Sequence, residues 1–347
     1  MSTSASPSAA SAPASETSLR IAVAGAGAVG CTLAAALAHA GQPVSLLARG
    51  ASLEAVRRNG LRLRRAHHTL HVRLPASDDA AELGVHDVVL VCTKAQDLPG
   101  IVPALAPLIG PDTCIVPMVN GVPWWYFQRL PGRLAGRPVR AVDPDGALLR
   151  ALPSEQVLGA VQFLAAERLE PGVASSSNPM RIVLGELDHS ESPRTARLAE
   201  TFNAAGIESR VSSRIRDSLW TKIIANLISN PLSVITGATL DTLYRNPRLQ
   251  PIVRKIMNEC LALAAAYGAR LDFDPASFAE QATRLGAIRT SMLQDSLAGH
   301  PLELAAIGDA VLELAELQNV PMPVTRDILA LTHFRNDARH AANLSRG

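Results

Sequence analysis

Residues 19–49 read LRIAVAGAGAVGCTLAAALAHAGQPVSLLAR and contain a strand, a helix and a second strand in succession. The apolar run Leu19–Ala24 predicts a buried strand, a helical pattern continues to Ala40, and Val44–Ala48 predicts the second strand. Strands joined through a helix pair in parallel, because the connection crosses over to return to the same edge of the sheet. The stretch therefore predicts a βαβ unit at the start of an α/β domain.

A glycine-rich turn with the spacing G-x-G-x-x-G joins the first strand to the helix. Its first glycine permits a tight turn, its second lets the backbone approach a pyrophosphate, and its third lets the helix pack closely on the strand. The helix N-terminus attracts the anion. A plain glycine-rich turn is the alternative, but the position between a strand and a helix favours a dinucleotide site. The predicted cofactor contacts are Gly25, Ala26, Gly27, Ala28, Val29 and Gly30.

The residue after the second strand indicates which dinucleotide is bound. An enzyme that uses NAD usually has Asp or Glu here, and the carboxylate binds a ribose hydroxyl. This chain has Arg49, whose guanidinium can pair bidentately with the 2′-phosphate of NADP. The sequence therefore predicts NADP as the cofactor, and the alternative is an arginine that is only solvated at the surface.

The segment 57–73 that follows is strongly basic. Its charged or titratable residues are Arg57, Arg58, Arg62, Arg64, Arg65, His67, His68, His71 and Arg73. Such a segment could bind nucleic acid or a metal, but it has no interleaved aromatic residues and no carboxylate or cysteine partners. We interpret it as a solvated edge segment, of which one arginine could assist in binding the phosphate.

Strand patterns continue to about residue 212. Asp87–Thr93 and Cys114–Val119, with a helix-like stretch between them, extend the parallel sheet. Strands near Val139–Val142, Val157–Ala165 and Arg181–Gly185 are expected to complete that sheet.

Helical patterns replace the strands beyond this point. They cover Ile215–Ile235, Pro251–Ala266, Pro275–Leu285, Leu302–Gln318 and Val324–Ala341. The predicted fold is therefore α/β, with a Rossmann-type dinucleotide-binding domain over 19–212 and an all-α domain for substrate and catalysis over 213–342. Residues 1–18 precede both domains as a tail.

Composition excludes several classes of protein. The 347 residues carry 33 basic and 31 acidic side chains, so no concentrated positive field favours nucleic acid or a membrane surface as a partner. Residues 1–18 are almost wholly Ala, Ser, Pro and Thr, which predicts a disordered tail. A signal peptide is the alternative, because Ala38-His39-Ala40 resembles a cleavage site, although the charged segment that should precede it is weak. No other stretch approaches a transmembrane span.

The cysteines predict neither disulfides nor a metal site. None belongs to a C-x-x-C pair or to a cluster with zinc-ligand spacing. Each lies in an apolar stretch, so we expect small buried thiols in a reducing cytosol. The four are Cys31, Cys92, Cys114 and Cys260.

A polar stripe marks the first helix of the all-α region. Lys222, Asn226 and Asn230 are spaced at i, i+4 and i+8, so they share one helix face, while Trp220 and Ile223 lie on the other. Asparagine is a poor helix former, so two asparagines aligned with a lysine indicate a polar cleft wall. The alternative is an ordinary solvated face.

Six motifs along the chain follow one order. They are Gly25–Gly30, Arg49, Thr93-Lys94-Ala95, Asn120-Gly121-Val122, Trp220-x-Lys222-x-x-x-Asn226-x-x-x-Asn230-Pro231 and Ser291-Met292-Leu293-Gln294-Asp295. Together they resemble the ketopantoate reductase (2-dehydropantoate 2-reductase) family, and the likeness extends from Leu19 to about Leu331. The resemblance implies a cytoplasmic enzyme that reduces a 2-oxo acid with NADPH, in the cleft between a Rossmann domain and a helical domain, for pantothenate synthesis. It also implies a homodimer formed through the helical domain.

The resemblance suggests roles for individual residues. Lys222 looks like the proton donor to the ketone oxygen, and Asn226 and Asn230 resemble groups that hold the hydroxyl and carbonyl oxygens of the substrate. Ser291 resembles the anchor for the substrate carboxylate. Glu303 resembles an acid that faces both the cofactor ribose and the substrate.

Three further positions are expected at the same cleft. Lys94 and Asn120 each follow a parallel strand, at the end where doubly wound sheets bind ligands, and they resemble contacts to cofactor and substrate. Ala165 is a weaker match, expected to line the nicotinamide side.

A lysine suits the expected chemistry. Hydride addition to a ketone develops negative charge on the oxygen, which a nearby ammonium stabilises and then protonates. Burial in a closing cleft should lower the pKa of Lys222 towards neutrality, whereas a neighbouring carboxylate such as Glu303 should raise it. The sequence leaves this balance open.

The chain also departs from the family pattern. Pantoate-forming enzymes commonly have Thr-Glu-Ile-Asp around the glutamate, whereas this chain has Leu302-Glu303-Leu304-Ala305. The bulky run Trp124-Trp125-Tyr126-Phe127 is also unusual, and we interpret it as core or interface more readily than as a substrate contact. A less polar pocket could select a different 2-oxo acid or ketone. The alternative from another class of function is an NADPH-binding redox sensor that keeps the fold without catalysis, which the altered surroundings of Glu303 suggest.

Overall fold

A computed structural model describes residues 18–271 and 274–344 of the chain. The predicted tail over 1–18 therefore lies outside the described residues except for its last position. The four cysteines are all free and buried, as predicted. Among the described helices, none is both long enough and apolar enough to cross a membrane.

Strands and helices alternate through the first part of the chain. In order they are β1 (Ile21–Ala24), α1 (Ala28–His39), β2 (Val44–Leu47), α2 (Gly50–Asn59), β3 (Leu61–Arg64), β4 (Thr69–Val72), β5 (Ala76–Ser77), β6 (His86–Val91), α3 (Leu98–Leu105), β7 (Ile109–Pro117) and α4 (Ala147–Ala151). Five of these strands form a parallel sheet in the order β5-β2-β1-β6-β7. All four residues of β1 are buried because it is the central strand, covered on both faces. The α/β fold class is thus confirmed.

A second sheet was not predicted. The chain continues with β8 (Gly159–Glu170), β9 (Val173–Gly185), α5 (Pro193–Ala204) and β10 (Glu208–Val211). These strands form a separate five-stranded sheet in the order β10-β9-β3-β4, and β8 pairs with β9. The exposed arginines and histidines of the basic segment lie on and around β3 and the edge strand β4.

The expectation that two later strands complete the parallel sheet is wrong. The segments predicted as Val157–Ala165 and Arg181–Gly185 belong to β8 and β9, which pair antiparallel with each other. Only Pro171 and Gly172 connect them, and so short a connection closes a hairpin but cannot cross over to a parallel position. A parallel bridge between Ile115 and Val157 joins the start of this hairpin to β7.

The strand predicted near Val139–Val142 is also wrong. These residues form a turn, in which the amides of Val142 and Asp143 donate to the carbonyl of Val139 at 3.1 and 2.8 Å. Pro138 and Pro144 flank the run. Because proline cannot donate a ladder hydrogen bond, a four-residue run between two prolines is a poor strand.

Helices form the rest of the chain. They are α6 (Ile215–Thr236), α7 (Leu240–Arg245), α8 (Gln250–Ala266), α9 (Pro275–Arg284), α10 (Ser291–Ala298), α11 (Ala310–Gln318) and α12 (Pro323–Leu344). A π-helical segment, Ala305–Asp309, precedes α11. The long helix α6 packs against α8, α10 and α12, and also against β8 of the second sheet. It therefore connects the helical region to the first part of the chain.

Candidate active site

The glycine turn brings α1 very close to β1. Gly25 has a φ of 110°, and a Cβ atom on Gly30 would lie 1.9 Å from the carbonyl oxygen of Gly25. Any side chain at position 30 would therefore force the turn apart. Gly27 precedes α1 and gives its first turn no side-chain cap, so the N–H groups there are available to a bound anion.

The surroundings of this turn fit a dinucleotide. The amide of Gly25 donates to the carbonyl of Leu47 at 2.9 Å, which fixes the turn to the end of β2. Arg49 follows two residues later, exposed at the start of α2. The hydroxyl of Thr93, just after β6, is buried without a hydrogen-bond partner among the described residues. An unpaired buried hydroxyl at such a place is suited to a ligand oxygen.

Glu303 ties the helical region to two loops that follow parallel strands. Its buried carboxylate accepts from the amide of Ala95 at 3.1 Å, after β6, and from the side-chain amide of Asn120 at 3.3 Å, after β7. The amide of Val122 donates to the carbonyl of Ala306 at 2.8 Å. Burial raises the pKa of Glu303, while these hydrogen bonds act in the opposite direction. The carboxylate thus joins the helical region to the loops that follow β6 and β7.

Lys94 makes a second connection between the same parts of the chain. Its ammonium lies 2.7 Å from a carboxylate oxygen of Asp295, in α10, and 3.5 Å from the carbonyl of Pro301. Gln96 also donates to that carbonyl, at 3.4 Å. The structure therefore places Lys94 on the loop that was predicted but gives its charge a partner from the helical region.

Lys222 lies on α6 and is partly buried. Its ammonium sits over the ring of Phe163, 5.4 Å from the centroid, a distance typical of a cation–π contact. Burial lowers the pKa of Lys222 to about 8, and the Glu303 carboxylate opposes this shift. The balance that the sequence left open is thus decided in favour of burial, and the lysine can exchange a proton near neutral pH.

The two asparagines of the stripe have unsatisfied donors. The side-chain nitrogens of Asn226 and Asn230 are buried and have no hydrogen-bond partner among the described residues, and Asn230 is only 3% exposed. Leaving a buried donor unpaired costs about 1–3 kcal/mol. The stripe is therefore not an ordinary solvated face, and both amides can bind oxygen atoms of a ligand.

Ser291 begins α10, close to the turn of α6 that carries Asn230. The preceding Thr290 caps α10, and its hydroxyl lies 2.6 Å from that of Ser233. The Ser233 hydroxyl in turn donates to the carbonyl of Asn230 at 2.7 Å. Ser291 itself is exposed beside this contact.

Ala165 lies on β8 in an exposed position. Phe163, two residues earlier on the same strand, is the residue whose side chain faces Lys222. The register of the pairing with β9 shifts between Phe163 and Ala165. Sequence reasoning did not single out Phe163. Its place two residues before Ala165 was a usable signal, since side chains two apart usually share a face of a strand.

Asp295 is a second residue that sequence reasoning missed. It belongs to the motif 291–295, and its carboxylate pairs with Lys94.

The aromatic run Trp124–Phe127 is part of the core, as predicted, because each of its residues is at most 3% exposed. The indole of Trp220 donates to the hydroxyl of Tyr126 at 2.9 Å. Trp220 lies on α6 itself, on a different face of the helix from Lys222.

Comparison with known proteins identifies the family. The sequence profile "Ketopantoate reductase PanE/ApbA" matches residues 21–189, and the profile "Ketopantoate reductase PanE/ApbA C terminal" matches residues 214–336. A 2-dehydropantoate 2-reductase from Mesorhizobium japonicum is 38% identical over 314 residues, which cover 90% of this chain and 96% of that protein.

Solved structures support the same family. A Ralstonia solanacearum protein provisionally named ketopantoate reductase superimposes with a TM-score of 0.88 at 39% identity, over 92% of this chain and 98% of that one. A 2-dehydropantoate 2-reductase from Geobacter metallireducens superimposes with a TM-score of 0.80 at 27% identity, over 91% and 99% of the two chains. Together the two profiles match most of the chain, and the chain has the fold and the order of motifs described above. The chain is therefore a member of the ketopantoate reductase family and an oxidoreductase.

Proposed function

We propose that this protein reduces a 2-oxo acid to a 2-hydroxy acid with NADPH, and that ketopantoate is the leading substrate. The observation that carries the proposal is the Lys222 ammonium, with its lowered pKa, on the same helix face as two unpaired amide donors, Asn226 and Asn230. This set matches a ketone oxygen that must be held and then protonated. Family membership supports the same reaction.

Each residue of the proposed site has a distinct role in the reduction. NADPH, whose pyrophosphate the glycine turn would hold, would supply a hydride to the carbonyl carbon when bound. Lys222 stabilises the charge that develops on the carbonyl oxygen and transfers its proton there. Asn226 and Asn230 donate to substrate oxygens, which removes the cost of leaving their amides unpaired. Ser291, exposed at the start of α10, anchors the substrate carboxylate.

Residues of the two strand-end loops complete the site. Asn120 and Lys94 contact cofactor and substrate, and Glu303 fixes Asn120 through its carboxylate. Ala165 lines the nicotinamide side of the cleft. The proposal also includes the family's homodimer and its cytoplasmic role in pantothenate synthesis.

The experiment that tests the function is NADPH oxidation by the purified protein, followed by absorbance, with ketopantoate and a panel of other 2-oxo acids and ketones. Preference for ketopantoate supports the pantothenate role. If another carbonyl compound is preferred by orders of magnitude, the reductase chemistry stands and the substrate assignment is wrong. Cofactor binding without turnover of any carbonyl compound favours the redox sensor instead.

The second candidate substrate class is a less polar 2-oxo acid. Phe163 lies against Lys222, and Leu302 and Ala305 flank Glu303 where pantoate-forming enzymes carry polar residues. In an apolar pocket each methylene group of the substrate is worth about 1–3 kcal/mol of binding, so such a wall favours a larger apolar side chain. The substrate panel should therefore include 2-oxo acids with branched and aromatic side chains.

Reversing the charge at Arg49 is expected to weaken NADPH binding. A charge-assisted hydrogen bond contributes roughly 1.5–3 kcal/mol, so Arg49→Asp should raise the Kd for NADPH by about 10- to 150-fold. Affinity for NADH, which lacks the 2′-phosphate, should change little or improve. Fluorescence titration of both cofactors measures this. Arg254→Asp, an exposed change on α8, is the control, and equal losses for both cofactors would contradict a role at the phosphate.

The rate of reduction is expected to fall at alkaline pH. The proton donor must be the ammonium form of Lys222, which is present below its pKa of about 8 and lost above it. The value of kcat/KM should therefore be level below about pH 8 and decline about tenfold per unit above it. A profile from pH 6 to 10 at saturating NADPH measures this. A level profile up to pH 10 would show that Lys222 is not the donor.

A further inference from the structure

A cavity of about 710 Å³ lies at the start of α6, and Lys222 is not among its lining residues. Its walls come from the loop 126–135 and His189 in the first part of the chain, and from α6, the end of α8 and Gln318 in the helical region. Among the described residues, those assigned above to cofactor, substrate or catalysis are not part of its lining. The volume falls within the range of small-molecule sites.

Aromatic rings form the floor of this cavity. Tyr126, Phe127, Trp220 and Tyr267 pack at centroid distances of 4.9–6.3 Å, mostly edge to face. The Tyr126 and Trp220 side chains also hydrogen-bond to each other, so the floor is rigid. Tyr126, Phe127 and Trp220 are at most 3% exposed, whereas Tyr267 is partly exposed, so the Tyr267 ring is the part of this floor that a flat apolar body can contact.

A buried positive charge lies beside this floor. Arg216 is 6% exposed, and its guanidinium donates to the carbonyls of Tyr126, Leu187 and Gln128 at 2.6–2.9 Å. Burial lowers the pKa of Arg216 to about 10, so the group is still charged at neutral pH. Carbonyl dipoles satisfy its N–H groups but do not neutralise the charge.

The acidic groups of the cavity are already paired with other arginines. Asp217 binds Arg214 at 2.7 Å, and Asp188 binds Arg129. Arg133, at the rim, donates to the carbonyl of Leu317 at 3.1 Å. The cavity therefore keeps an excess of positive charge, which favours an anion.

His189 adds an unsatisfied polar atom. Its Nε2 atom is buried and has no hydrogen-bond partner among the described residues, and its backbone is held at a φ of 68°, which a residue with a side chain rarely adopts. Burial and the charges of Arg216 and Arg214 lower the pKa of the imidazole. A neutral ring can donate or accept one hydrogen bond to a ligand.

We propose that this cavity is a binding site for a small organic monoanion with a flat apolar body, such as an aromatic carboxylate, and that it is separate from the active site. The Tyr267 ring, backed by the buried rings, contacts the apolar body, and the excess charge from Arg216 and Arg133 attracts the carboxylate. Because the site is distinct from the glycine turn and the Lys222 face, it does not depend on the proposed reductase function.

The probe for this site is the anionic dye 1-anilinonaphthalene-8-sulfonate, titrated by fluorescence into the full chain at saturating NADP⁺. The cofactor blocks the dinucleotide site, so remaining saturable binding reports another site. We expect binding to persist, and we expect naphthalene-2-carboxylate to displace the dye while the neutral naphthalene-2-carboxamide does not. Loss of dye binding on adding NADP⁺, or equal displacement by acid and amide, would overturn the proposal.

A variant that fills the cavity locates the site. Ala266, exposed at the end of α8, lines the cavity, and Ala266→Trp should weaken dye binding by at least about tenfold. Ala262→Trp, on an exposed part of the same helix that does not line the cavity, is the matched control. Melting temperatures of both variants show that the fold is intact. Wild-type affinity in Ala266→Trp would place the dye elsewhere and overturn the proposal.

Discussion

Lys222→Ala is expected to lower kcat by about 10²- to 10⁴-fold, the usual contribution of a positioned proton donor. The ammonium is the group that α6 brings next to the unpaired amides of Asn226 and Asn230, and its pKa of about 8 matches donation near neutral pH. Alanine can neither stabilise charge on the carbonyl oxygen nor protonate it. NADPH affinity should stay within about twofold, because a loss confined to the chemical step leaves cofactor binding intact.

Steady-state kinetics and NADPH titration of the same preparation measure the two effects. Lys255→Ala is the matched control, since Lys255 is exposed on α8 and its loss should leave both quantities unchanged. Removing a partly buried charge also affects stability, so thermal melting must show that the variant is folded at the assay temperature. Turnover near the wild-type rate in folded Lys222→Ala would exclude the lysine as donor.

The first βαβ unit could be predicted because its signals are local. The glycine spacing, the apolar strand before it and the helix after it lie within 31 consecutive residues, from Leu19 to Arg49. The stripe of Lys222, Asn226 and Asn230 was likewise visible, because helical spacing alone puts the three on one face. Whether that face met solvent or a cleft depended on packing against other elements, which spacing does not encode.

The features that sequence reasoning missed depend on contacts between distant segments. Glu303 and Ala95 are separated by 208 positions, and the contact of Phe163 with Lys222 depends on how β8 lies against α6. The second sheet was missed for a related reason. Buried apolar runs such as Arg181–Gly185 fit either sheet equally well, and only the short connection at Pro171-Gly172 decides the pairing.

Glu303→Ala is expected to lower kcat/KM by about 10- to 150-fold. The carboxylate is buried and accepts hydrogen bonds from the Ala95 amide and the Asn120 side chain, and losing a hydrogen bond to a charged group costs roughly 1.5–3 kcal/mol. Without it, Asn120 is no longer fixed in the cleft. A second effect would distinguish Glu303 from a residue whose role is only structural. The Glu303 carboxylate raises the pKa of Lys222. Removing it should move the alkaline decline of kcat/KM to lower pH.

Glu303→Gln separates the two effects. The glutamine carbonyl can still accept from Ala95, and the Asn120 amide can rotate to accept from the new amide group, so most of the lost rate should return. The negative charge does not return, so the pH profile should remain shifted as in Glu303→Ala. Measuring kcat/KM against pH for both variants tests this.

The matched control is a second glutamate that links the helical region to the first part of the chain. Glu313, on α11, accepts from the main-chain amides of Arg140 and Ala141 at 3.0 and 2.8 Å. Glu313→Ala removes a comparable pair of hydrogen bonds but lies outside the set of residues around Lys222. It should lower the melting temperature while leaving the alkaline decline in place. If Glu303→Ala behaves in the same way, with an unmoved pH profile, then Glu303 only holds the two parts of the chain together. A profile that shifts in both Glu303 variants, and not in Glu313→Ala, would instead show that its charge acts on Lys222.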